Sequence, residues 1–481
     1  MARIDLIALL PLVVTGLASV ALMGLIAIRR SHGVAAGFTA ASLVAALVSL
    51  GPARRAAPRA VDPLFVVDGY GLFFVGVIVV TALLVTVMAY AYFTRQRERP
   101  EEFFILLLLA VTGSGILTLA ASFVSLFLGL EILSVALYVL IAYPRLRTNS
   151  VEAAVKYLVL GSASAAFLLF GAALAYARLG TMDLQSMATA LAQVSATADP
   201  VLLAGTALVI VGAAFKLGVV PFHLWAPDVY QGAPAPVGAL IATISKASMV
   251  ALVFRYFGAG QEGGATALAP AVALIGAASM FAGNILALLQ TNLKRLLAYS
   301  SISHLGYVLV ALVAPTDTGR EAAAYYMAAY AVTLVAAFGV MAAISDGQDD
   351  VEEIDRYRGL FWRRPWLAVA MTASMLSLAG IPLTAGFVGK FYVLLAGASG
   401  ALWTLVLILA VTSVIGLYYY LRVVVALYAD ETSAVAGARE LPSSVATSFV
   451  LTTSTLAIVC LGVFPQPIMR MLSAAIAEWM G

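Results

Sequence analysis

One cysteine, three histidines and five lysines are all that 481 residues hold of the side chains most often recruited for metal ligation and mobile surface charge. A lone Cys460 in an apolar segment excludes a disulfide framework within the chain and any cysteine-based metal or iron–sulfur site. His32, His223 and His304 are too scattered for a local zinc motif, and no glycine-rich nucleotide loop is present. Charge is scarce at 11%, and no stretch is polar enough to form a soluble domain. What is abundant is apolar sequence: 63% of residues are hydrophobic, and runs of eighteen or more recur throughout. The chain therefore reads as an integral membrane protein. Its net charge of +3 is small, with the basic residues in short loops beside apolar runs, which marks membrane topology rather than nucleic-acid binding.

Fourteen spans are expected, approximately at 4–28, 33–50, 66–93, 103–119, 121–142, 151–177, 200–224, 237–258, 267–289, 296–313, 321–344, 366–398, 401–428 and 445–463. The first is too long for a signal segment and is followed by Arg29-Arg30 rather than a small-residue cleavage site, so it is kept as a helix. Residues 103–142 are one apolar block, twice the ~20 residues that cross a bilayer, and must fold back near Ala120–Ser122. Ile468 to Met480 reads as a short interfacial tail. The loops after spans 1, 3, 5, 9, 11 and 13 hold fourteen basic residues: Arg29, Arg30, Arg95, Arg97, Arg99, Arg145, Arg147, Lys294, Arg295, Arg356, Arg358, Arg363, Arg364 and Arg439. The other side holds seven, Arg3, Arg54, Arg55, Arg59, Arg178, Arg320 and Arg470. This bias puts the first set in the cytoplasm and both termini outside, with the basic run Arg54 to Arg59 cutting against it.

Two spans carry breaks at nearly the same offsets. Span 7 reads Phe215-Lys216-Leu217-Gly218-Val219-Val220-Pro221-Phe222-His223, and span 12 reads Leu378-Ala379-Gly380-Ile381-Pro382-Leu383 and continues to Lys390. Proline removes a backbone hydrogen bond, and in lipid the freed carbonyl must find a partner in protein or in a hydrated cavity. A straight helix from Trp366 to Ser399 would run roughly 50 Å against a ~30 Å hydrocarbon core, so span 12 must break or tilt. Paired, interrupted spans in two halves are the sign of inverted repeats. The expected fold is all-α, with about fourteen transmembrane helices and two inverted five-helix repeats, each containing a broken helix. The expected division is 1–102 for spans 1–3, 103–258 for the first repeat, 259–428 for the second and 429–481 for span 14 and the tail.

Four of the five lysines, Lys156, Lys216, Lys246 and Lys390, lie inside apolar runs, whereas the arginines sit almost entirely in loops. A guanidinium effectively never releases its proton; a desolvated ammonium does so readily. Lys216, Lys246 and Lys390, with Glu131, each lie ~14 to 20 Å from a span end, near the middle of the membrane. Three such lysines oppose insertion by ~8 to 10 kcal/mol, and snorkelling reaches the interface only from near a helix end. That expense argues for use. Lys156 has a plainer account, an i to i+4 pair with Glu152. Glu131 is the only acid deep in a span, and a salt bridge to a buried lysine is its plain reading; beside Lys216 it would hold that lysine's proton, and moving it away would release it. His304 is suited to relaying protons near neutral pH, although core packing is a rival role; His223, after the Pro221 break, is a weaker candidate.

At these residues the chain resembles a known family. The stretch Phe215 to Ile241 with Lys246 after it, Leu293 to Val308, and Ser377 to Tyr392 are similar to the signatures of the antiporter-like membrane subunits of proton-pumping NADH:quinone oxidoreductase, respiratory complex I. The resemblance covers essentially the whole chain and implies a functional glutamate in span 5, lysines in spans 7 and 8, and a charged residue in span 12. They fall on Glu131, Lys216, Lys246 and Lys390, with Lys156 and His304 as further relay candidates and Gly218, Pro221, Gly380 and Pro382 at the helix breaks. Among the bacterial types the pattern looks like subunit N, the counterpart of mitochondrial subunit 2. Lysine at position 390 disfavours subunit M, which has glutamate there, and subunit L extends into a long lateral helix. The resemblance implies proton transfer from cytoplasm to periplasm across a bacterial inner membrane, driven by partner subunits of the complex. Those partners would carry NADH, FMN, iron–sulfur clusters and quinone, while this chain binds no cofactor or metal; lipid is its other neighbour. Multisubunit cation/proton antiporters share the motifs and are the alternative.

Overall fold

A backbone in lipid has no water to bond, so each apolar run must satisfy its own N–H and C=O groups, which a helix does. The computed structural model describes residues 3–94, 100–193, 199–259, 268–314, 317–345, 349–430 and 444–480. Thirteen of its helices are long and apolar enough to cross a membrane, and two shorter ones, Pro365–Ala379 and Ala385–Ser399, together make the fourteenth span. The spans that build the site are span 3 (Gly69–Thr94), span 4 (Glu101–Thr118), span 5 (Phe123–Ile141) and span 6 (Thr148–Leu179). Span 7 is Pro200–Leu217 followed, after the break, by Trp225–Gly232; span 8 is Ala235–Ala242 and Ile244–Ala259. Next come span 9 (Ala269–Leu288), span 10 (Leu293–Val313), span 11 (Asp317–Ile344), the broken span 12 and span 13 (Trp403–Tyr428). Spans 8, 10 and 11 are the most enclosed, and the midplane lysines gather around them.

The turns show the inversion directly. Ser122 caps the start of span 5 and is bridged to Asp183, beyond span 6: Phe123 N donates to Met182 O and Leu184 N to Ala121 O. Asn292 caps span 10 and is bridged to Glu353, beyond span 11: Leu293 N donates to Glu352 O and Ile354 N to Thr291 O. The same hydrogen-bond pair therefore recurs, once beside Arg178 and once beside Lys294 and Arg295, at opposite ends of the bundle. The block 103–142 turns at Leu119–Ser122, as expected from its length.

Several features differ from the sequence reading. The final segment is a helix, Gln466–Met480, rather than an interfacial tail; its Leu472, Ala475 and Ile476 are buried against spans 3 and 11. Residues 59–67 form a small hairpin, Arg59–Val61 against Phe65–Val67. The basic run that opposed the topology is balanced by carboxylates: Arg54 pairs with Glu478 and Arg59 with Asp5 at 2.8 Å. A further helix, Leu184–Gln193, precedes span 7. Arg255, inside span 8 as expected, is buried in a two-pronged pair with Asp68, whose Oδ1 also accepts from Gly71 N at 2.7 Å. The loop arginines Arg95, Arg97, Arg99 and Arg439 lie outside the described residues.

Candidate functional site

Each break ends its first half-helix in the same way. Gly218 and Gly380 sit at φ of +75° and +84°, a left-handed conformation that glycine adopts without steric cost. Val219 N reaches back to Ala214 O and Ile381 N to Leu376 O, closing the last turn. The residue before each glycine keeps a carbonyl that the interrupted helix cannot use, and a lysine takes it in both repeats. Lys246 Nζ donates to Leu217 O at 2.6 Å, and Lys390 Nζ donates to Ala379 O at 2.9 Å. A helix C-terminus carries partial negative charge, so each lysine lies where an ammonium is favoured although both are buried. Ser279 of span 9 and Ser377 of span 12 satisfy exposed amides of the breaks, Val220 N and Gly386 N. A methyl group at Gly380 would lie 2.8 Å from Lys390 Cδ in a backbone conformation that costs an L-residue roughly 1–2 kcal/mol. Gly380→Ala is expected to lower thermal stability by that order and to dislodge Lys390; differential scanning fluorimetry checks the first and a structure of the variant the second.

Lys216, in the last turn before the first break, turns the other way. Its Nζ donates to Ser134 Oγ of span 5 at 2.6 Å and to Tyr157 OH of span 6 at 3.3 Å. Between Lys216 and Lys246 stand two stacked rings, Tyr157 and Trp225, 4.6 Å apart. Lys216 Nζ lies 5.3 Å from the Tyr157 centroid and Lys246 Nζ 5.7 Å from that of Trp225, so each outer face holds one cation. Trp225 is fixed by its indole N–H, which donates to Phe215 O at 2.9 Å.

Glu131 is half-buried on the outer side of span 5, in the same stripe as the exposed Leu128 and Val135. Among the described residues no ion pair joins it to Lys216; the lysine is taken by Ser134, one helical turn further on. Lys156 is on the protein surface, 2.8 Å from both Glu152 and Asp228, beside a polar cavity of about 180 Å³ lined by Asn149, Gln231 and these three charges. It therefore stands apart from the buried row.

In the second repeat the centre is His304. Its Nδ1 lies 2.6 Å from Tyr326 OH and its Nε2 2.9 Å from Tyr420 OH, so a neutral ring donates to one tyrosine and accepts from the other. Tyr420 also bonds Ser300. Tyr307 lies between His304, 5.5 Å away, and Lys390, whose Nζ is 5.3 Å from its centroid; Lys390 reaches Ser413 Oγ at 2.9 Å on the far side. Asn284 of span 9 joins Ser303, Tyr307 and Tyr419. Among the described residues no hydrogen bond or ring contact links Lys246 to His304.

The sequence reading located the charges and missed the hydroxyl and aromatic groups around them: Ser134, Tyr157, Trp225, Tyr307, Tyr326, Tyr420 and Ser413. Spacing held a partial signal, because Ser134 follows Glu131 by one turn and Ser300, Ser301 and Ser303 crowd His304. Lys294 was misplaced as a loop charge. It is fully buried, bonds Asp350 at 2.6 Å and lies 3.3 Å from Glu352. Asp350 in turn accepts from Ala235 N, Tyr92 OH and Ser345 Oγ, tying spans 3, 8, 10 and 11 together at the arginine-rich end.

Fourteen spans, two inverted breaks and a row of buried lysines define a multi-pass integral membrane protein of the antiporter-like class. Residues 120–416 match the transmembrane family described as NADH:quinone oxidoreductase/Mrp antiporter, and the chain belongs to that family. It is similar to a chain of respiratory complex I from Thermus thermophilus, solved with bound aureothin, at 32% identity and TM-score 0.81, covering 97% of this chain and 100% of that one. It is also similar to a chain of the membrane-bound sulfane sulfur reductase, an archaeal respiratory membrane complex, at 25% identity and TM-score 0.83, covering 99% and 97%. A chain of the Mrp complex from Dietzia sp. DQ12-45-1b shares the fold at 19% identity and TM-score 0.84, covering 100% and 98%. All three are chains of multisubunit membrane complexes.

Proposed function

We propose that the chain is the N-type antiporter-like subunit of a proton-pumping NADH:quinone oxidoreductase in a bacterial inner membrane, with both termini periplasmic. The observation that carries this is lysine at position 390, bonded to the break of span 12, within a chain 32% identical to a complex I subunit along its whole length. In this reading Lys216 takes a proton from the cytoplasmic side, and Glu131 on the outer face of span 5 tunes how firmly it is held. The Tyr157–Trp225 stack separates Lys216 from Lys246, so their exchange requires the stack to shift or water to enter. His304 hands the proton through its tyrosine cage toward Lys390, which delivers it to the exit. A neutral imidazole bonded at both nitrogens can accept at one and release at the other, which suits a relay. Residues 103–258 and 259–428 act as the two half-channels, joined at the midplane.

Each proton moved outward works against ~2.3 kcal/mol per 100 mV, and the lysines have no energy source of their own. NADH oxidation and quinone reduction in partner subunits, with their FMN and iron–sulfur clusters, supply it. Purifying the tagged chain in mild detergent tests the assignment. Co-purification of NADH-oxidising partners supports it, whereas partners lacking redox activity together with sodium-dependent proton flux would assign the chain to a cation/proton antiporter. Glu131→Gln is expected to slow proton transfer in normally assembled complex; failed assembly with unchanged turnover per complex would make Glu131 structural.

A further inference from the structure

Just before span 12 the chain gathers charge of one sign. Residues 353–364 hold four arginines, Arg356, Arg358, Arg363 and Arg364, against two carboxylates, Glu353 and Asp355, both exposed. Arg358 is 3.8 Å from Asp355, beyond hydrogen-bond reach, and its side chain is 41% exposed. Arg363 gives one N–H to Arg358 O at 2.9 Å, which sets its guanidinium beside the backbone of the other arginine. Among the described residues neither Arg356 nor Arg363 forms an ion pair.

The fold holds this cluster at the level of the membrane surface. Pro365 opens span 12 and Tyr428 closes span 13. The short helix Leu360–Arg363 is pinned to the end of span 13: Gly359 N donates to Ala426 O at 3.1 Å, and the rings of Phe361 and Tyr428 stand 4.7 Å apart. Trp362 and Trp366, on either side of the start of span 12, are 59% and 41% exposed, as suits rings that sit at headgroup level. Deeper in the membrane an exposed apolar seam runs between the two spans, with Val369 on one and Leu421 and Val425 on the other. Thr372 Oγ1, donating to Tyr428 OH at 3.3 Å, joins the two sides of the seam at the surface.

We infer that this corner binds one anionic phospholipid. The phosphodiester lies against Arg358 and Arg363, because a guanidinium presents paired N–H donors that match phosphate oxygens. Trp362 and Trp366 meet the glycerol region, and the acyl chains follow the seam. Complementarity selects the occupant: the surplus of positive charge calls for an anion, and the apolar seam directly below it calls for hydrocarbon. An acidic segment of a partner subunit would satisfy the arginines and leave the seam bare. The bound lipid braces the half-helix Pro365–Ala379, at whose far end Ala379 O holds Lys390.

The test uses the intact complex in detergent and a phosphatidylglycerol probe with a photoreactive group in its acyl chain. Below saturation, cross-links should map to residues 360–376 and 418–428, and a phosphatidylcholine probe with the same chains should label them far less. Arg358→Gln with Arg363→Gln should weaken labelling there about thirtyfold, about fivefold for each charge removed, at equal complex content. Arg358→Lys with Arg363→Lys keeps the charge and should retain most of the labelling, which separates lost binding from lost folding. Equal labelling by both probes, or unchanged labelling in the glutamine variant, overturns the site. So does absence of label from both probes, which would show that another subunit covers this face.

Discussion

Lys390→Arg should abolish proton transfer through this chain, and so lower the proton yield, while leaving the complex assembled. Arginine preserves the positive charge, and its fork can still donate to Ala379 O, the helix terminus that favours a cation. What it removes is release of the proton. A guanidinium holds its proton far above the physiological range, so deprotonating it at pH ~7 costs several kcal/mol, which is several powers of ten in rate. Even a several-unit adjustment by its surroundings leaves a loss far larger than tenfold. NADH-driven acidification by complex reconstituted in vesicles reads this directly, with subunit content checked by gel. The same argument applies to Lys246→Arg, whose partner Leu217 O is in the matching position of the first repeat.

The second large effect concerns stability. Burial alone would raise the Asp350 carboxyl; Lys294, with Arg147 and Tyr92, outweighs burial and holds it below its ordinary range. A carboxyl lowered on folding contributes stability that is fully present above the unfolded value, near 3.9, and is lost as pH falls through the folded value. Asp350→Asn strips the charge and leaves buried Lys294 with only the more distant, partly exposed Glu352 as a carboxylate partner, a change that approaches the roughly 3–5 kcal/mol cost of breaking other buried pairs. Because four spans converge on this carboxylate, the expected result is markedly reduced accumulation of the folded chain. Thermal unfolding of whatever assembles should also lose the acid sensitivity that this carboxylate contributes below about pH 4. Unchanged melting with unchanged acid sensitivity would show that the pair is dispensable.

The spans were legible because lipid leaves the backbone one local solution and makes apolar length a direct signal. The two breaks were legible because glycine and proline recur at nearly the same offsets, at Gly218 and Pro221 and at Gly380 and Pro382. The lysines stood out because charge in an apolar run has no cheap explanation. Their partners did not, since Ser134, Tyr157 and Ser413 are ordinary residues whose role depends on which helices meet, a matter of sequence separations of 82, 59 and 23 residues. Lys294 was misread because it stands at a helix start, where a solvated charge is common; the acidic segment that buries it arrives 56 residues later. The final helix was misread because its apolar face matches a membrane surface as well as it matches spans 3 and 11.

In the proposed function the buried lysines carry protons in a redox-driven complex. Protons moved per NADH oxidised, measured in vesicles containing the intact complex, test it most directly when wild type is compared with the triple variant Lys216→Arg, Lys246→Arg, Lys390→Arg. Sodium-independent pumping is expected in the wild type, with a lower proton yield in the triple variant at equal complex content. An unchanged yield in the triple variant, or pumping that requires sodium, would contradict it.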